Sequence, residues 1–288
     1  MPATPAPLES IRVGEARITW LPDGVGRFKA TAFIQPTTDE DWRRHPEAVD
    51  ADGMMIASLG GLLVETPDDI VLIDLGIGDH KLEIPIGSAE GGQFLKSLAE
   101  AGVSPDRVRT VVYTHLHADH VGWSSRQTDD GYLLRFPNAR HVMHRDEWKF
   151  WEGKDEHTGM PTESLEKPLR DVLTLLGGDD EIVPGLNLVH TPGHTPGHSS
   201  VVVTSGDERV YVLGDVLHSP AQISEPWSCF AEVDIEASRA SREAVLRELQ
   251  KPGTITAATH FPNSIFGRVV PVDRRPHWVM GAGAETKA

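Results

Sequence analysis

The densest concentration of chemistry-bearing side chains is Thr114-His-Leu-His-Ala-Asp-His120, which sets His115, His117, Asp119 and His120 within six residues directly after an apolar run. A lone histidine in a loop usually caps a turn or faces water. Four groups of ligand type at this spacing, just past a strand end, can converge on one point through a tight turn. Neutral imidazole suits Zn, Fe, Co or Ni, and a carboxylate oxygen tolerates all of these. Three further signals follow downstream: Pro192-Gly-His194-Thr-Pro-Gly-His198, Gly214-Asp215 and Thr259-His260. Cys229 is the only cysteine. A disulfide framework is therefore excluded, and any metal site must draw on His and carboxylates.

These groups need strand ends to hold them, and the pattern supplies such ends. Val108–Thr114 reads as a buried strand feeding the first motif. Leu186–His190, Arg209–Leu213 and Thr254–Ala258 read as strands that stop just before His194, Asp215 and His260. In open α/β sheets ligands bind beyond the carboxyl ends of strands, so four candidate ligand loops at four such ends point to one shared site. Further strands are expected at Ile11–Leu21, Leu59–Glu65, Ile70–Asp74, Ala139–Met143 and Ser199–Thr204. Leu21-Pro-Asp-Gly24 reads as a turn. Helices are expected at Phe94–Ala101, Arg145–Trp151, Ser164–Leu176 and Asp234–Leu249, a loop with a short helix at 35–56, and a loop at 121–140. Strands and helices alternate in both halves, which makes the fold class α/β with helices covering the sheets. The expected organisation is one domain over 10–272 between an N-terminal tail, 1–9, and a C-terminal tail, 273–288.

The chain has 288 residues, with 27 Lys and Arg against 43 Asp and Glu, a net charge of −16. That balance repels phosphate backbones and anionic lipid, so neither nucleic acid nor a membrane is an expected partner. No apolar run approaches the roughly 18 residues of a membrane span. Met1–Pro7 has neither the basic nor the apolar segment of a secretory signal, and cytoplasmic placement is the expectation. A homodimer through the N-terminal region or loop 35–56 is left open.

H-x-H-x-D-H, then a His in a G-H-T-P-G-H turn, then G-D, then a late His, resembles the metallo-β-lactamase-fold metallohydrolase superfamily, over about residues 11–270. The resemblance implies a four-layer αβ/βα sandwich of two mixed sheets flanked by helices, with a two-metal site at one edge. It implies that His115, His117 and His194 bind one ion, that Asp119, His120 and His260 bind the other, and that Asp215 bridges them with a water or hydroxide. Zn2+ is the first expectation, with Mn, Co or Fe as alternatives. The pattern is closest to acyl-homoserine-lactone lactonases and methyl-parathion-hydrolase-like enzymes. The implied activity is hydrolysis of an ester or lactone in an apolar or acylated small molecule. A phosphotriesterase-like hydrolase and a mononuclear iron sulfur dioxygenase are the alternatives on the same fold.

Two residues carry catalytic expectations: Asp119 as proton shuttle, and His218. His218 lies three residues after Asp215, where lactonases of this superfamily often place a Tyr against the substrate carbonyl. A His there can donate to a developing oxyanion; the bland alternative is a supporting or solvent-facing side chain. Asp74, by resemblance, supports the metal loops without being a ligand, and His198 stabilises its turn. His141 and His144 read as structural, His45, His80, His157 and His277 as surface residues, and Cys229 as packing. Trp42, Met54, Met55, Ile223, Trp227, Phe230, Phe261, Ile265 and Phe266 suggest an apolar pocket, while Trp148 and Trp151, three apart on one helix face, read as core.

Overall fold

The computed structural model describes residues 2–281 except 155, 158 and 159. Its chain is built on the alternation of side chains along short apolar strands. In Ile70–Ile73, Val71 and Ile73 point to one face and Ile70 and Leu72 to the other. Both faces are covered, which is why the strand reads as a continuous apolar run. The first sheet runs in the order 173–176, 140–144, 110–112, 70–73, 54–65, 16–29, 87–90, 81–84, with 9–13 also paired to 16–29. The second runs 181–183, 186–190, 199–205, 208–212, 254–257, 266–272, 275–280. Each mixes parallel and antiparallel pairs.

Between the sheets, Ile18, Trp20, Leu62, Ile73 and Val112 meet Leu188, Val201, Val203, Val212 and Ile255. Phe94 and Leu98 from one helix, Trp148 and Trp151 from another and Leu165 from a third cover the outer face of the first sheet. Val245 and Leu249 of helix Ile235–Leu249 cover the outer face of the second. The result is the four-layer αβ/βα sandwich that the resemblance implies. Among the described residues no helix is long and apolar enough to cross a membrane.

Several local expectations need correction. The strand expected at Ile11–Leu21 is a hairpin, Glu9–Val13 against Ala16–Lys29, turning at Gly14. Its second strand runs straight through Pro22-Asp-Gly24, which read as a turn, by way of a bulge between Pro22 and Gly24. The expected helix Ser164–Leu176 ends at Leu169, one residue after Pro168, and Leu173–Leu176 is a strand parallel to Arg140–His144. The expected loop 121–140 contains a hairpin, Ser125–Thr128 with Gly131–Leu134. The stretch assigned to the C-terminal tail carries the strand Arg275–Met280, hydrogen-bonded to Phe266–Val272; residues 282–288 and the side chain of His157 lie outside the described residues. At the other end Ala3 and Ala6 are buried rather than loose.

His141 sits in the core beside the Tyr113 hydroxyl, 3.0 Å from its Nδ1, and burial lowers its pKa to about 4. Between pH 6.5 and 4 only the unfolded chain takes up this proton, so stability falls as pH drops through that window and is regained above it. From the two pKa values the effect at pH 5 is about 2 kcal/mol. Chemical denaturation at pH 7 and pH 5 should show His141→Gln losing less stability than the wild type by about that amount. Identical pH dependence in the two proteins would contradict the assignment.

Candidate metal centre

The ligand-type residues all follow strand ends on the same edge of the sandwich. Asp74 follows Ile70–Ile73, His115 to His120 follow Thr110–Val112, His194 follows Leu186–His190, Asp215 follows Glu208–Val212 and His260 follows Thr254–Ala257. The fold brings all seven expected residues together: His115, His117, His194 and Asp215 form one group able to hold a metal ion, and Asp119, His120 and His260 form another.

Asp215 lies between the two groups. Its Oδ2 is 3.1 Å from His194 Nε2 and 3.6 Å from His115 Nε2, whereas its Oδ1 is 3.1 Å from His120 Nε2 and 2.9 Å from His260 Nε2. One carboxylate thus offers one oxygen to each group. His117 joins the first group through Nδ1, 2.9 Å from His194 Nε2. Asp119 Oδ2 stands 3.7 Å from both His120 Nε2 and His260 Nε2.

The outer hydrogen bonds fix which ring nitrogen faces inward. Asp74 accepts the Thr114 N–H and hydroxyl at 2.8 Å each and the His120 Nδ1–H at 2.8 Å. Thr114 Oγ1 in turn receives His115 Nδ1–H at 3.1 Å, and Ser58 O receives His260 Nδ1–H at 3.0 Å. These bonds leave the Nε2 lone pairs of His115, His120 and His260 aimed at the centre. Nε2 of His115 and of His120 is buried with no hydrogen-bond partner. Buried polar atoms are rarely left so, and an inward-facing imidazole lone pair is what a dication takes up. The residues therefore fit a pair of divalent metals.

The electrostatics agree. Burial and the neighbouring imidazoles hold His115 and His117 well below the ordinary histidine range, in the neutral form a metal requires. Burial opposes the charge on Asp215, yet His260, His120 and His115 around it keep its carboxyl well below the usual range. Burial also disfavours charge on His120 and His260, but the carboxylates of Asp215 and Asp119 outweigh it and pull both upward. The second group is thus a place that attracts positive charge.

Several supporting roles are visible. His198, expected to stabilise its turn, also accepts the Asp215 N–H on Nε2 at 2.8 Å and donates from Nδ1 to Thr191 O at 3.0 Å. Burial lowers its pKa to about 3, so the ring stays neutral and keeps its acceptor. Gly214 has φ +56°, and a Cβ there would lie 2.6 Å from His198 Nε2, so only glycine fits. Glu147 was not foreseen, since it is one of two acids in an ordinary charged helix. It is buried and accepts from Leu116 N, Trp151 Nε1, Thr195 Oγ1 and Gly197 N, which ties the first motif to the G-H-T-P-G-H turn.

His144, Asp146 and His190 also cluster. The His144 and His190 rings lie parallel, 6° apart at 4.0 Å. An imidazole lone pair lies in the ring plane, so two parallel rings do not converge on one ion. His144 is a packing residue between the sheets, as expected.

Above the centre lies a cavity of about 220 Å³. His117, Asp119, His194, Asp215, His218 and His260 line its floor, and Phe28, Phe33, Ile77, Leu82, Ile84 and Phe230 are prominent among its apolar walls. His218 faces this space with Nε2 3.1 Å from Asp215 Oδ2 and with Nδ1 buried and unpaired. Of the expected pocket residues only Phe230 lines it. Trp42, Met55 and Trp227 pack behind the wall, and Ile223, Phe261, Ile265 and Phe266 belong to cores elsewhere. Phe28 and Phe33 were missed because the long strand was cut at the apparent turn. Leu82 and Ile84 were missed because the hairpin Lys81–Glu90 was not seen. Cys229 is buried packing that also touches the cavity.

The sequence profile of the metallo-beta-lactamase superfamily matches residues 62–260. An N-acyl homoserine lactonase of Bacillus cereus is 25% identical over 205 residues, which cover 65% of this chain and 76% of that one. The N-acyl homoserine lactonase AttM of Agrobacterium fabrum is 35% identical over 119 residues, 39% of this chain and 42% of that one. AidC, a dizinc quorum-quenching lactonase solved with a product bound, superposes with a TM-score of 0.82 over 98% of both chains at 23% identity. A probable metal-dependent hydrolase from Staphylococcus aureus gives 0.82 over 96% of this chain and 100% of that one at 21% identity. At these identities the superpositions establish a shared fold.

Asp74→Ala should release His120 Nδ1 and weaken the affinity of its group for a divalent ion by about 10–100-fold. Competitive zinc titration against a chromophoric chelator measures this; unchanged affinity at both sites would contradict the role given to Asp74.

Proposed function

Because the chain belongs to the metallo-beta-lactamase superfamily, we propose that it is a dinuclear metal-dependent hydrolase that opens an ester or lactone bond in an apolar or acylated small molecule. The observation that carries this reading is the division of the Asp215 carboxylate between two histidine groups on the floor of an apolar cavity. His115, His117 and His194 would hold one ion and Asp119, His120 and His260 the other, with Asp215 shared. Zinc in a cytoplasmic protein is part of the proposal. When bound, such a pair would supply Lewis acidity and would lower the pKa of water enough to make a hydroxide nucleophile available at neutral pH.

The protein's own residues do the rest. Phe28, Phe33, Ile77, Leu82, Ile84 and Phe230 bind the apolar part of the substrate and keep water from it. Asp119, on the cavity floor with its side chain 29% exposed, takes the nucleophile's proton and returns it to the leaving oxygen. His218 donates from its ring to the oxygen on which charge develops. The lactonases among the relatives favour a lactone or ester over a phosphotriester.

The zinc-loaded protein should hydrolyse members of a panel of acyl lactones and aryl esters faster than phosphotriesters. Chelation should abolish turnover. His117→Ala should lower kcat/KM by about three orders of magnitude, since a metal's charge stabilisation is worth several kcal/mol. Unchanged hydrolysis by His117→Ala would refute the reading. One iron per chain with oxygen-dependent turnover would replace it with the dioxygenase alternative.

A further inference from the structure

Behind Phe33 and Phe230 in the cavity wall runs a short ribbon, Ile34–Gln35 antiparallel to Ser228–Cys229, of which Cys229 also lines the cavity. Beside it the Phe230 N–H donates to Phe33 O at 2.9 Å. The two rings meet edge to face at 5.2 Å, and Phe33 also stacks on Phe28 at 4.6 Å and touches the His218 ring at 5.7 Å. Behind this wall lies Arg242, on helix Ile235–Leu249, buried and outside the cavity lining.

Its guanidinium reaches three points of the segment that carries His218 and Phe230. It donates to Trp227 O at 2.5 Å, to Glu232 Oε1 at 2.6 Å and to Val216 O at 3.4 Å. Glu232 Oε1 also accepts the Cys229 N–H of the ribbon at 3.1 Å. Trp227 O receives a second bond, 3.0 Å from Gln222 Nε2, and Gln222 Oε1 accepts the His218 N–H at 2.7 Å and the Ser219 N–H at 3.2 Å. One buried cation therefore fixes both the apolar wall and, through Gln222, the backbone of His218.

We propose that Arg242 is a positioning residue that sets the enzyme's selectivity for the apolar part of its substrate. The proposal rests on the hydrolase reading above for what the substrate is, but not for the wall itself. The guanidinium spreads its N–H donors over three nitrogens, and each of the three acceptors takes a different one; a lysine's three N–H donors diverge from a single nitrogen and do not span them. Loosening the ribbon moves Phe33 and Phe230, whereas Asp215, next to the Val216 carbonyl, stays held by the glycine before it and by the His198 ring that takes its N–H.

The test compares the metal-loaded full-length wild type with Arg242→Lys, Glu232→Gln and Phe230→Leu, using p-nitrophenyl octanoate and p-nitrophenyl acetate. Elemental analysis and thermal melting accompany the assays. Arg242→Lys should keep the wild-type metal content and lower the octanoate-to-acetate ratio of kcat/KM by about tenfold, within the range a displaced methylene contact produces in an apolar pocket. The loss should come mainly from a raised KM for octanoate. Phe230→Leu, which alters the wall directly, should move the ratio in the same direction. Glu232→Gln, which keeps an acceptor for Cys229 but removes the ion pair, should move it less, and it carries the test if Arg242→Lys does not fold. Equal losses on both esters, or an unchanged ratio, would overturn the proposal. Calorimetric binding of octanoate and acetate to the zinc-loaded proteins reads the wall without turnover. Arg242→Lys must weaken octanoate more than acetate even if the wild type hydrolyses neither ester, the outcome that would sink the hydrolase reading instead.

Discussion

A single buried carboxylate, with one oxygen turned toward each of two histidine groups, is the constraint on which the rest of the molecule depends. Asp215 is 3% exposed and sits within 3.6 Å of five imidazole rings. Such a charge is tolerated in an interior only when opposing charge or hydrogen bonds meet it. Two cations shared across it would meet that need. Its placement is over-determined by the glycine before it, by the His198 ring that takes its N–H, and by the strand Glu208–Val212 that delivers it between the two groups.

The surrounding structure works outward from that point in two ways. Hydrogen bonds fix ring orientation: Asp74 through Thr114 and His120, Ser58 through His260, and Glu147 by tying Leu116 to Thr195 and Gly197. Packing fixes the loops themselves. Asp23 shows how far this goes: its carboxylate accepts the N–H groups of Ile77, Gly78, Gly92, Gln93 and Phe94 and the Trp123 indole, pinning the floor and one wall of the cavity to the first sheet. The chemistry is therefore held by residues that never touch it.

The clustering of the seven residues was legible in the sequence because they fall in four groups, each shortly after a strand end, and a strand end is a local signal. Helix Ile235–Leu249 was legible for the same reason, with Asp234 capping Ala237 N–H. The cavity was not. Phe33 and Phe230 are almost 200 positions apart and meet only because a short ribbon pairs their backbones. Pro22-Asp-Gly24 carries every mark of a turn, yet tertiary pairing on both edges of the strand and the buried Asp23 carboxylate carry the strand through it. The strand Leu173–Leu176 was read as helix because a short apolar run does not declare its period; the parallel partner Arg140–His144 decides it. Asp23, Glu147 and Arg242 look like ordinary charged residues in sequence, and only burial reveals their roles.

The central claim is that Asp215 joins two cations. Anomalous diffraction from crystals of the zinc-loaded protein tests it most directly. The account predicts two peaks per chain about 3.5–4 Å apart, the separation of shared two-metal sites, each coordinated by a different Asp215 oxygen. A single peak, or two peaks with Asp215 bound to only one of them, would contradict it.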